Sequence, residues 1–138
     1  CMAMANGGAP AEVMVPIIPE ATPATAMLRR EGITRITADL MKNHLANPLV
    51  STRYAASDDI DRVELRAIEF FCAGTGGPET YSGKDMLATH KGMNISEQEF
   101  VAVLDDAMAA LETCGVDSPT RNEVLAILWS LKGEVIRV

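Results

Sequence analysis

The segment from Phe70 to Ile95 reads FFCAGTGGPETYSGKDMLATHKGMNI, and its organisation decides the fold. Leading into it, Ile60, Val63, Ala67, Phe70 and Phe71 recur at helical spacing, and Asp58 and Asp59 suit the positive end of a helix that begins near Ser57. Gly74, Gly76, Gly77 and Pro78 break that helix. A connection of roughly twenty residues follows, to Ile95, and compact domains seldom tolerate one so long without a purpose. It carries Tyr81, Met86, His90 and Met93 into the space between two amphipathic helices. Something has to fill the gap these side chains surround, and a flat apolar ligand would do so.

His90 is one of two histidines in the chain and ends a short, poorly helical stretch. A histidine in that place can interact with the last carbonyls of its helix, sit in the core, or hold a metal. Spacing alone leaves all three open.

Outward from this segment the pattern stays helical. Ile33, Ile36, Leu40 and His44 share a stripe from about Gly32 to Asn47, where Asn47-Pro48 ends it. Ser96 and Glu99 form a capping box ahead of Phe100, Leu104, Met108 and Leu111. Ser118-Pro119 opens a last helix whose stripe is Val124, Leu128, Leu131 and Val135. No strand alternation and no internal repeat is present, so the expected class is all-α. Residues 1–26 differ: Pro10, Pro16, Pro19 and Pro23 are too closely spaced for a helix, so an extended Ala/Pro-rich arm is expected there, ahead of one helical domain over 27–138. The arm has no charged beginning of the kind a signal peptide carries.

Composition narrows the function classes. The 138 residues suffice for one core, and 48% hydrophobic content argues against a disordered chain. With few aromatics and eight methionines, the core must rest on aliphatic residues, a mix that suits helices. A formal charge of −7 argues against nucleic acid and anionic membranes as partners. No run approaches the ~18 apolar residues of a membrane span. Cys1, Cys72 and Cys114 form no Cys-x-x-Cys pair, which disfavours a zinc site and suits reduced thiols in a cytoplasmic protein.

The ordered run Glu69-Phe70-Phe71, Gly76-Gly77-Pro78-Glu79, Tyr81-Ser82-Gly83, Met86, His90, Gly92 and Ile95 resembles the truncated, two-over-two haemoglobins of the first group, and the likeness extends over Met27–Val138. The resemblance implies a two-over-two globin-like helical sandwich holding haem b, with His90 as the proximal iron ligand and Met86 anchoring it one turn earlier. It implies Arg66 and Tyr81 near the propionates and Phe71 near a ligand tunnel. Met93 and Ile95 would lie around His90, and Phe100, Val124 and Leu128 would wall the pocket.

Departures from the family pattern fall on the distal side. Leu40 and Met41 stand where the family has a Phe-Tyr pair, Val63 and Ala67 where it has polar donors, and Tyr54 where a phenylalanine wedges the haem. The early Gly-Gly pair is absent near Leu28-Arg29. The resemblance thus implies a protein for diatomic gases (O2, NO, CO) with an apolar distal site. Nitric oxide dioxygenase or other redox chemistry, served by an unidentified reductase, or gas sensing would be its use. Met41 is either a filler or a thioether ligand, while His44 is expected to turn toward neighbouring helices. The alternative is an all-α interaction module that has lost its haem.

Overall fold

The computed structural model describes residues 30–55, 57–75 and 78–138, so the arm expected over 1–26 lies outside the described residues. Six α-helices follow in order: α1 (Arg30–Ala46), α2 (Ser51–Tyr54), α3 (Ile60–Gly74), α4 (Met86–His90), α5 (Glu97–Thr113) and α6 (Ser118–Ser130), with a 3-10 turn at Lys132–Glu134. No strand occurs among the described residues, only one bridge between Ile95 and Ile136. The fold is all-α, as the sequence implies. Helix α1 packs against both α3 and α5, and α5 packs against α6, which builds the two-over-two sandwich. No described helix is long and apolar enough to cross a membrane.

Local chemistry sets the helix starts, with one correction to the expected caps. Asp59, one of the two aspartates suited to the positive end, caps α3, its side chain accepting from the Arg62 amide at 3.0 Å, so the helix begins at Ile60 rather than near Ser57. Asp117, not Ser118, caps α6 by accepting from the Thr120 amide at 2.9 Å, with Pro119 in the first turn. A carboxylate at either place also meets the positive end of the helix. The Ser96–Glu99 capping box of α5 forms as expected. The four residues of α2 are too few for periodicity to reveal, and they bring Tyr54 into the core.

The stripe of α1 buries Ile33, Leu40, Met41 and His44 together with Thr37. Val135, expected on the α6 stripe, lies beyond the helix, which ends at Ser130. It is buried all the same, because the chain after it turns back to Ile95. There the Arg137 amide donates to the Ile95 carbonyl at 2.9 Å, and the Gly92 and Asn94 amides donate to the Val138 carbonyl at 3.2 Å. These bonds pin the loop that leaves His90. Gly92 turns that loop with φ +87°, a conformation in which a side chain would be strained.

Candidate functional site

Helix α4 has only five residues, too few to stand alone in water, so its neighbours must hold it. Asp85 caps it by accepting from the Ala88 amide at 2.7 Å, and Met86, Thr89 and His90 are buried against the domain. His90 is 1% exposed, and it does meet a carbonyl of its own helix. Its Nδ1 lies 2.8 Å from the Met86 carbonyl oxygen. A carbonyl only accepts, so Nδ1 carries the hydrogen and Nε2 keeps its lone pair. Burial pushes the imidazole pKa down to about 4, against the pull of the Met86 bond, so the ring is neutral near pH 7. A neutral imidazole with one nitrogen tethered and the other open is the form that ligates a metal.

His90, Met93 and Ile95 line one apolar cavity. Met41, Val63, Ala67, Phe71, Met86 and Leu128 line another, with about 670 Å³ of open space, solvent-open parts included. The two abut along Tyr54, Phe100, Val103 and Val135. The fold therefore places His90 on one cavity and Met41, Val63 and Ala67 on the cavity beside it.

Other expected site residues are placed differently. The Arg66 guanidinium donates through Nη1 to Glu69 Oε2 at 2.9 Å and also meets the Ser82 hydroxyl. These bonds hold the Glu69 carboxyl below its usual range although burial opposes them. Arg66 Nε is buried with no partner among the described residues, so a donor remains for an added carboxylate. Tyr81 donates to the Lys84 carbonyl at 2.6 Å and packs edge-on against Phe70, so its hydroxyl serves the loop. Val124 lines a separate apolar cavity with Ile33 and Thr37 rather than the wall near His90. Phe71 and Leu128 border both that cavity and the central one.

Two pairs near the site escape a reading by spacing. Arg53 Nε donates to Glu99 at 2.8 Å while its Nη1 donates to the Met93 carbonyl at 3.0 Å, tying α2 to α5 and to the loop after His90. His44 meets Asp106 at 2.7 Å, so it does turn to a neighbouring helix, yet it also lines the central cavity and stacks on Tyr54. Both pairs join residues far apart in sequence. The one local hint is a histidine on an apolar stripe flanked by Asn43 and Asn47.

Two observations fit a porphyrin: the open nitrogen of a buried neutral His90 and the apolar walls. A helical sandwich with one such imidazole facing apolar walls is of the globin class. Comparison with known proteins agrees. The pattern of the family described as "Bacterial-like globin" matches residues 28–137, and this chain belongs to that family, in its truncated haemoglobin branch. It is similar to "Group 1 truncated hemoglobin GlbN" of Mycolicibacterium paratuberculosis (34% identity over 77 residues, 56% of this chain and 57% of that one). It is also similar to "Group 1 truncated hemoglobin" of Tetrahymena pyriformis (33% over 78 residues, 56% of this chain and 64% of that one). The matches thus span less than two thirds of either relative. The crystal structure of truncated hemoglobin from Tetrahymena pyriformis in the Fe(III) form superimposes with a TM-score of 0.73 at 25% identity, covering 77% of this chain and 90% of that one.

Proposed function

We propose that this chain binds haem b through His90 Nε2 and uses the site for diatomic gases. The observation that carries the reading is the Nδ1–H of a 1% exposed His90 committed to the Met86 carbonyl, which leaves the other nitrogen for a metal. Haem supplies the iron at which O2, CO or NO binds. Met86 fixes the tautomer and orientation of the imidazole. Arg66 Nε offers a donor to a propionate, and Phe100 and Leu128 exclude water with their apolar surface.

On the other wall Met41, Val63 and Ala67 offer no proton to a bound gas. Oxygen gathers negative charge when bound and is retained by a donor, whereas CO and NO need one less. With the Tyr54 hydroxyl the one donor offered by that lining, the site holds oxygen briefly and oxidises readily, which suits redox chemistry with NO or gas sensing more than storage. A redox use requires a reductase to return the iron to its ferrous state.

Titration with hemin tests the reading. The wild-type protein is expected to develop a Soret band at one equivalent, and His90→Gly to develop it only when free imidazole is added. A wild-type protein that takes up no hemin overturns the proposal and leaves an all-α interaction module on a globin scaffold.

A further inference from the structure

Among the residues lining the central cavity, only His44 and Tyr54 carry polar side-chain groups able to form strong hydrogen bonds. His44 is 2% exposed and sits on the apolar stripe of α1, one turn beyond Met41. Asp106 of α5 holds it through Nδ1 at 2.7 Å. The carboxylate is itself fixed, since Asn47 Nδ2 donates to both of its oxygens at 3.1 and 3.2 Å, and Asn43 Nδ2 donates to the Asp106 main-chain carbonyl at 3.1 Å. The imidazole stacks on Tyr54 with centroids 5.6 Å apart.

An ionised carboxylate only accepts, so Nδ1 carries the hydrogen and Nε2 carries the lone pair. Nδ1 is the ring's hydrogen-bonding atom among the described residues, and the ring borders the cavity. Burial keeps the ring neutral by pushing its pKa down to about 4, although Asp106 pulls the other way. A buried His–Asp couple is expensive in desolvation where an aliphatic residue would pack at lower cost. Its chemistry differs from that of a distal tyrosine: a lone pair cannot donate to O2 or CO, but it can take a proton from a ligand that carries one.

We propose that His44, held by Asp106, is the proton acceptor for small weak acids of the type H–X, such as hydrogen sulfide, hydrogen cyanide or hydrogen peroxide, entering the central cavity. The H–X bond breaks heterolytically, the electron pair stays with X as the anion, and the proton passes to His44 Nε2. The resulting imidazolium is short-lived, since burial lowers its pKa, and the Asp106 carboxylate beside it balances its charge while it lasts. No oxidant or reductant is consumed. Asp106 and Asn47 are positioning residues, because they act on the ligand through His44. The inference rests on the haem reading, since the anion needs a metal to remain bound.

Stopped-flow mixing tests it on hemin-loaded wild type, His44→Leu and Asp106→Asn. The probes are cyanide with the ferric protein at neutral pH, where hydrogen cyanide is the main species, and CO with the ferrous protein, which transfers no proton. His44→Leu is expected to slow cyanide association by about ten-fold or more while CO association stays within about two-fold, and Asp106→Asn to slow cyanide in the same sense. Cyanide rates that do not change, or that fall in proportion to those of CO, overturn the proposal. Should His44→Leu not fold, nitrogen-15 NMR of the wild-type imidazole decides: hydrogen on Nδ1 is expected, and hydrogen on Nε2 overturns it. A wild type without a Soret band defeats the haem reading and this one together, whereas a Soret band with equal cyanide rates defeats this one alone.

Discussion

The Nδ1 of His90 stands 2.8 Å from the carbonyl oxygen of Met86, so the residue one helical turn earlier sets which imidazole nitrogen is open. That relation exists only while the single turn of α4 is wound, and Asp85 is its cap. Asp85→Ala is predicted to cost about 1 kcal/mol and to let the ring rotate away from its tether. Haem transfer to a scavenging globin should then be about five-fold faster than in wild type, the rate equivalent of that energy. Equal transfer rates would show that the loop and the C-terminal segment hold α4 without its cap.

A second prediction concerns acid. The Arg53 hydrogen bond, helped by Ser96, pulls the Glu99 carboxyl down to about 2 against the opposing effect of burial. A carboxyl whose folded pKa lies below its unfolded value stabilises the protein above the unfolded value, about 4.5, and loses that contribution as pH falls toward 2. With Arg53 and Glu99 partly solvated, the pair is worth about 1 kcal/mol. Urea unfolding near neutrality and near pH 3 should therefore show a smaller acid loss in Arg53→Gln than in wild type. An identical acid loss in both proteins would assign the low pKa to the capping box alone.

The third prediction is steric. Gly83 sits beside the Tyr81 ring, and a Cβ built there would run into the hydroxyl that donates to the Lys84 carbonyl. Gly83→Ala is expected to lose about 1–3 kcal/mol by displacing a buried ring. The same substitution at Gly133, where a Cβ meets open space, should cost well under that. Thermal melts of the two variants compare them directly, and equal midpoints would count against the clash.

How much of this is legible in the sequence depends on the range of each interaction. The capping box of α5, the break after α3 and the apolar stripe of α1 are set by residues within a turn or two, and reading by periodicity recovers them. The displaced cap of α6 is local as well, but two acceptors compete at that start, Ser118 with Asp117, and the aspartate wins. The burial of Val135 depends on the Ile95–Ile136 pairing across the fold, which spacing cannot express. The same limit hides the Asp106 partner of His44 and leaves Arg66 looking free when Glu69 and Ser82 already occupy part of it. Around the candidate site, residue types are readable, whereas the hydrogen-bond partners that choose a tautomer are not.

Met41 carries the last prediction. It is 5% exposed, packs with Val50, Tyr54 and Val63, and lines the central cavity. A flexible thioether there can fill volume or reach an open coordination position. Its neighbours favour filling: the side chain lies within a buried apolar cluster, and moving it toward a metal would leave a void beside Val63. The ferrous protein is therefore expected to be five-coordinate without added gas, and Met41→Leu to leave that spectrum unchanged. Met41→Tyr, by contrast, introduces a donor, and a hydrogen bond to a charged acceptor is worth ~1.5–3 kcal/mol, so oxygen dissociation should slow by roughly ten- to a hundred-fold. A wild-type ferrous spectrum that is six-coordinate and becomes five-coordinate in Met41→Leu would make Met41 a ligand. Equal oxygen dissociation from wild type and Met41→Tyr would mean that another group, with Tyr54 a candidate on the cavity wall, already supplies the donor.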